Sequence, residues 1–372
     1  MEPEGFTKTS DVPWTNTDIL DEQDNGNFTD HPGISIHGGA AFITEHPMEA
    51  GFYLIITGIA SILGTFGNIL VMASFAVNPA LQNSKNVFIF NVALADILVT
   101  SIADPFGILG MVYGSEYFDS RPAVCDFIAT LCIAACVTAL FSIGGISFNR
   151  FISICHPSVY SKVFGLKANL AMCFAFWVGG IGMSLPALVG WTDNIYDHKM
   201  LECIWNRLHS LSYTIFFSTC VVFTPVVIIS FSYLKIFLHV RASRRKVATM
   251  AGANAATKKQ EQSSLKLARS FFIIFMIFVG CWSPYAILVL VDWNDSLPLN
   301  VHLFILMVAH LHASLNPLVH AITNTHFRKG YAICISKMFC IPLSCLEGPS
   351  GMNTNKTASE LQASHVPRTT AS

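Results

Sequence analysis

Charge is what this chain has least of. Only 12% of its 372 residues are Asp, Glu, Lys or Arg, against 52% hydrophobic. Soluble globular domains carry roughly 25% charged residues, so a water-exposed surface on a chain this long is excluded. A net charge of −1 gives no basic bias and excludes a nucleic-acid partner. There is no HExxH, P-loop or GxGxxG, so no catalytic residue, metal set or cofactor is expected. No internal repeat is visible, which weighs against a transporter built from repeated halves. No basic start leads into a short apolar core, so no cleaved signal peptide is read. The first long apolar run then serves as the insertion signal.

What is present is a series of apolar runs. A membrane helix needs about 20 mostly apolar residues, and seven stretches qualify: 51–77, 87–113, 127–149, 168–192, 208–234, 270–291 and one within 296–323. The expected fold is an all-α membrane protein, a seven-transmembrane helix bundle over 51–323. Residues 1–50, with ten acids and one Lys, read as an extracellular disordered tail. Residues 341–372, rich in Ser, Thr and Ala, read as a cytoplasmic one. Between them, Phe327, Tyr331, Cys334, Ile335 and Met338 recur at helical spacing. The segment 324–340 therefore reads as an amphipathic helix on the membrane surface.

Basic residues set the orientation. With the N-terminus outside, only Lys8, Arg121, Lys199 and Arg207 of the 22 Lys and Arg face out. The reading is a multi-pass protein of the cell membrane with an extracellular N-terminus. Asn27-Phe28-Thr29 is then a glycosylation site. Of the eleven Cys, Cys125 and Cys203 both face the oxidising side, and a disulfide between them is expected. It would pin the second outer loop over the mouth of the bundle. Cys334, Cys340 and Cys345 follow the last span and are palmitoylation candidates, with free thiols the other reading.

Each span also carries a signature. These are Gly67-Asn68, Asn91 to Asp96, Asn149-Arg150-Phe151, Trp177 with Pro186, Pro225 with Tyr233, Phe278 with Cys281-Trp282-Ser283-Pro284, and Asn316-Pro317. In chain order they resemble the rhodopsin-like (class A) G-protein-coupled receptors over roughly residues 50 to 340. The resemblance implies a polar cluster of Asn68, Asp96 and Asn316. It implies a packing switch of Leu140, Pro225 and Phe278 below the ligand, with Trp282 at the pocket floor; Pro225, Pro284 and Pro317 each break a hydrogen bond inside a span and give a kink or hinge. It implies Arg150 as the G-protein contact, with Tyr233 and Pro317 completing the switch.

Several positions depart from the family pattern. Asn149 replaces the acid that usually precedes Arg150 and cannot form a salt bridge, so measurable ligand-free signalling is expected. His320 stands where Tyr is usual. Ala139 and His312 stand where Ser and Asn are common, and His312 is expected to hydrogen-bond Asp96 directly.

The family's pocket positions fall on Cys132, Ile133, Cys136, Phe217, Ser218, Val221, Trp282, Tyr285, Val289, His302, Leu306 and His310. Cys132 offers no acid for a cationic amine, and His310 offers no Lys for a retinal Schiff base. The pocket reads as apolar, aromatic and uncharged, for a small non-cationic ligand. Within the family the likeness runs to melatonin receptors and related orphans, through Asn149-Arg150, Ile154-Cys155-His156, Ser212 to Ile215 and Phe327-Arg328-Lys329. Val221, Ala187 and Pro317 depart from that type. The implied partners are an extracellular small molecule, a heterotrimeric G protein, arrestin, a receptor kinase and membrane lipid. The alternatives are a peptide- or lipid-sensing receptor of the same fold, or a proton-coupled transporter relaying through Asp96, His310, His312 and His320.

Overall fold

The structure, a computed structural model, describes residues 39–249 and 255–343. Asn27 and Cys345 lie outside the described residues, as do most of both tails. Seven helices are long and apolar enough to cross a membrane. The first is α2 (Pro47–Val77), preceded by the short α1 (Gly39–Glu45). The second joins α3 (Val87–Leu98) to α4 (Asp104–Asp119). The third is α5 (Pro122–Cys155), and α6 (Pro157–Val163) follows it. The fourth begins with α7 (Leu166–Gly182). A hairpin of β1 (Asn194–Asp197) and β2 (Glu202–Trp205) leads to α8 (Leu211–Phe217) and α9 (Thr224–Thr249), which form the fifth. The sixth is the membrane part of α10 (Ala255–Val291) and the seventh is α11 (Leu299–Thr323). Then comes α12 (Thr325–Phe339).

Local chemistry explains where these elements start and bend. Pro47, Pro122 and Pro157 each occupy the first turn of their helix, where no N–H is needed. Ser210 caps α8 by accepting from the Tyr213 N–H, and Asn324 caps α12 by accepting from His326. Two spans widen into π-helical turns, at Val99–Ala103 and Ser218–Phe223, just ahead of Pro105 and Pro225. Pro317 lies inside α11 and has no N–H for the Ala313 carbonyl four residues back. The Asn68 amide donates to that carbonyl instead, at 2.9 Å.

Burial runs inside out relative to a soluble protein. Large apolar side chains such as Ile62, Phe127, Phe174, Val227, Phe237 and Ile322 are exposed around the bundle. Asn68, Asp96, His312 and Asn316 are buried within it. The third span is the most enclosed and the fourth the least. The β hairpin is antiparallel, with Tyr196 opposite Cys203, and Cys203 is disulfide-bonded to Cys125 of α5.

Two boundaries differ from the sequence reading. Residues 39–45 and 47–50 are helical rather than tail, so the first span starts at Pro47. In α12, Phe327 and Tyr331 are buried and Cys334 and Ile335 half-buried, but Met338 is exposed. The apolar face thins out where the helix runs past the end of the bundle.

Candidate functional site

At the hairpin end, a narrow cavity of about 30 Å³ lies between the fifth, sixth and seventh spans and α5. Cys132, Ile133 and Cys136 of α5 line one side, Phe217 and Val221 another, and Tyr285 and Leu306 a third. Trp282 forms the floor. The roof is Ile204 and Trp205 of β2. Trp205 is fully buried and stacks on Phe217 at 5.0 Å between ring centroids. The walls are almost wholly apolar, and ligand sites in general bury small molecules against such surfaces.

One corner is ionisable. His310 Nδ1 lies 2.9 Å from Asp104 Oδ1. On its other side Nε2 lies 3.5 Å from Cys132 Sγ and 3.9 Å from a Glu202 carboxylate oxygen. An acid, an imidazole and a second acid thus line up beside the cavity, with His310 reaching its wall. Asp104 and Glu202 do not line the cavity itself; they line a second, smaller space that shares Leu306 and His310 with it. The π-helical turn carries Asp104 inward, and the disulfide holds Glu202 down beside it.

Above the cavity a second charged network seals the mouth. Arg207 is buried, 3.5 Å from Asp197 and paired with Asp295, and it donates to the Asp292 carbonyl at 3.2 Å. Lys199 meets Asp295 at 3.2 Å. Partial burial pushes the Asp295 carboxyl up, but Arg207 and Lys199 outweigh it and hold it below the usual carboxylate range. His302 sits within this network, 3.0 Å from Asp292. Among the described residues, Asp292, Asp295 and His302 are the group whose ligand atoms lie close enough to share a metal. Arg207 and Lys199 already supply the positive charge there.

Below the floor, the Trp282 indole N–H points at His312 Nδ1, 3.2 Å away, and the indole stacks on Phe278. His312 Nδ1 is also 2.7 Å from the Ala309 carbonyl. Its Nε2 stands 3.7 Å from Asp96 Oδ1, beyond hydrogen-bond range. The expected direct bond between His312 and Asp96 is therefore not made, because the ring is drawn toward Trp282 and Ala309. Asp96 is fully buried and accepts from Asn316 at 2.7 Å. Asn68 belongs to the same buried layer but spends its amide on Gly64 and Ala313 rather than on Asp96.

At the α12 end, Arg150 is buried with its guanidinium 5.1 Å from the Phe271 ring centroid, and its Nε and Nη2 have no hydrogen-bond partner among the described residues. Asn149 bonds instead to Tyr160 Oη at 3.2 Å. Tyr233 packs against Phe272 and Phe275. His320 lies between Phe271 and Phe327.

This order of elements has known counterparts. Residues 67–320 match the family described as 7 transmembrane receptor (rhodopsin family). The chain belongs to that family. The receptor is 29% identical to mouse (Mus musculus) melatonin receptor type 1A over 312 residues, covering 79% of this chain and 83% of that one. It is 27% identical to Xenopus laevis melanopsin-B, covering 75% of this chain but only 53% of the longer melanopsin. Squid rhodopsin shares its fold, with a TM-score of 0.71 and 22% identity across 86% of this chain and 93% of that one.

Within the receptor, nine of the twelve expected pocket positions line the cavity. Ser218 and Val289 are buried off its wall, and His302 belongs to the charged network above. Leu140 and Phe278, expected in the switch, also reach the cavity floor. Ile204, Trp205, Asp104 and Glu202 were missed. For the first two and Glu202 a signal existed, because all three flank Cys203, whose expected disulfide already placed that loop over the mouth.

Proposed function

We propose that the receptor binds a small, weakly polar ligand in the roofed cavity and activates a heterotrimeric G protein at the α12 end. The N-terminus and hairpin lie outside the cell and the receptor acts as a signalling protein, not an enzyme. The observation that carries this reading is the line of side chains that leads down from the cavity floor into the buried polar layer. It runs through Trp282, His312, Asp96 and Asn316 to Pro317, with Arg150 beyond. A ligand that displaces Trp282 disturbs the whole column.

Two further features support basal activity. Among the described residues no acid pairs with Arg150, and Asn149 is engaged elsewhere. Melatonin, named in the mouse relative, is the first compound to assay, but Val221 and Ala187 offer an indole amide no polar partner. A more apolar or lipid-like ligand suits these walls better. Arrestin and a receptor kinase acting on the Ser- and Thr-rich tail complete the reading. A proton relay through Asp96, His310, His312 and His320 fits less well, since His320 is enclosed by Phe271 and Phe327.

The test is ligand-free nucleotide exchange on purified G proteins with the receptor in lipid nanodiscs. Exchange above empty nanodiscs, lost in Arg150→Ala and altered in Trp282→Ala, is expected. Exchange equal to empty nanodiscs for every G protein, or an ion current in the same bilayers, would overturn the reading.

A further inference from the structure

A small space beside the cavity holds a carboxylate that nothing in the signalling column uses. Glu202 is 6% exposed, yet its side chain makes no hydrogen bond among the described residues. Its nearest basic group is the His310 imidazole, at 3.9 Å, which is already engaged by Asp104 at 2.9 Å and Cys132 at 3.5 Å. A buried carboxylate without a donor is costly to keep charged. The fold does not leave room to escape. A Cβ at Gly107 would come within 3.0 Å of both Glu202 Oε2 and Tyr53 Oη, and one at Gly110 within 2.1 Å of the Leu201 carbonyl. These two glycines let the hairpin sink onto α4, and Tyr196 Oη donates to the Gly110 carbonyl at 2.8 Å.

The space beside Glu202 decides what can bind there. The cavity it shares with Tyr53, Asp104 and His310 is about 10 Å³. A water needs about 10–15 Å³, so an ammonium group or metal ion has no place without rebuilding the site. A proton needs none. We propose that Glu202, wedged where the hairpin meets the bundle, is a proton-binding site of the receptor, and that its protonation holds the hairpin down over the pocket.

The surroundings bear on the sign. Asp104 of α4, His310 of α11, Asp197 of β1, Tyr53 of α2, Tyr285 of α10 and, through His310, Cys132 of α5 face this group. Asp197 is itself partly neutralised by Arg207. Burial pushes the Glu202 carboxyl up to about 7; His310 opposes this, while Asp104 and Asp197 add to it. The seated hairpin therefore binds the proton more tightly than the lifted or unfolded one, whose carboxyl returns to about 4.3. Stability from this group is fully present below that range, falls as pH rises toward 7, and is level above it. The proton comes from bulk water, and the neutral acid removes the repulsion from Asp104.

The experiment is the Tm of the purified full-length receptor in nanodiscs from pH 5 to 8, for wild type and Glu202→Gln. Wild type is expected to lose a few degrees between pH 5 and 7 and then level off. Glu202→Gln, which mimics the protonated acid, is expected to remove that slope. An unchanged slope in Glu202→Gln, or a flat wild type, overturns the proposal. Should Glu202→Gln fail to fold, the infrared carboxyl band of receptor carrying ¹³C-glutamate decides. A protonated-acid band that disappears between pH 6 and 8 supports the site, and its absence at pH 6 refutes it. Both readouts are independent of G-protein exchange. A slope present without exchange supports the proton site and removes only the signalling assignment.

Discussion

Two arginines, Arg207 at the hairpin end and Arg150 at the α12 end, are almost equally hidden, at 2% and 5% exposure. Their surroundings differ completely. Arg207 meets Asp197, Asp295 and a backbone carbonyl. Arg150 meets an aromatic face and leaves Nε and Nη2 unbonded among the described residues. A buried ion pair costs desolvation but fixes geometry, whereas a buried unpaired cation costs desolvation and fixes little. The difference shows where the molecule is held. The hairpin end is locked by charge and a disulfide, whereas the buried arginine at the α12 end is held by packing against an aromatic face.

That contrast can be broken at the hairpin end with the largest effect. Arg207→Ala leaves Asp197 and Asp295 facing each other without their shared cation, a change worth about 3–5 kcal/mol for a buried pair. Surface expression and Tm should both collapse; a folded receptor with near-wild-type Tm would show that the network is dispensable. Gly110→Ala should follow. A methyl group 2.1 Å from the Leu201 carbonyl must lift the hairpin, at about 1–3 kcal/mol of overpacking strain. A lower Tm together with faster labelling of Cys132 and Cys136 by an externally added thiol reagent is the expected pair of results.

At the α12 end the contrast is sharpened by supplying what is missing. Asn149→Asp places an acid beside Arg150 and should lower ligand-free nucleotide exchange several-fold with little change in Tm. Unchanged exchange would mean that the aromatic packing around Phe271 already holds the inactive state. The smallest effect is expected from Asp295→Asn. Its carboxyl is held low by Arg207 and Lys199, so its contribution is present above the usual carboxylate range and lost only as pH falls through the lowered value. Tm should drop slightly and equally across pH 5–8, leaving any slope in that window to other groups.

The spans were legible because a bilayer imposes a length on each apolar run, and the disulfide because both cysteines were read on the oxidising side, Cys125 at a span end and Cys203 in a loop. The ionisable corner was not legible. Eight residues separate Asp104 from Asp96, which at 3.6 residues per turn leaves the two about 80° apart around the helix. The π-helical turn Val99–Ala103 takes up one extra residue and swings Asp104 back to the inward face. No pattern in the span announces that turn. The second widening, Ser218–Phe223, similarly upsets a count back from Pro225 and leaves Ser218 off the cavity wall. His302 misled for another reason: its partner Asp292 lies at the end of the preceding span, and only the folded loop brings them together.

His312 places one nitrogen between two claimants. With a hydrogen on Nδ1 the ring donates to the Ala309 carbonyl and has nothing to offer the Trp282 N–H. Without it, the ring accepts from Trp282 and leaves the Ala309 carbonyl with its helix hydrogen bond alone. The two bonds exclude each other, so the imidazole behaves as a toggle with two settings rather than a spring with many. When it carries a single hydrogen, each setting decides whether Nε2 presents a donor or a lone pair toward Asp96, 3.7 Å away. A movement of the indole at the pocket floor is thereby rewritten as the address of one hydrogen atom.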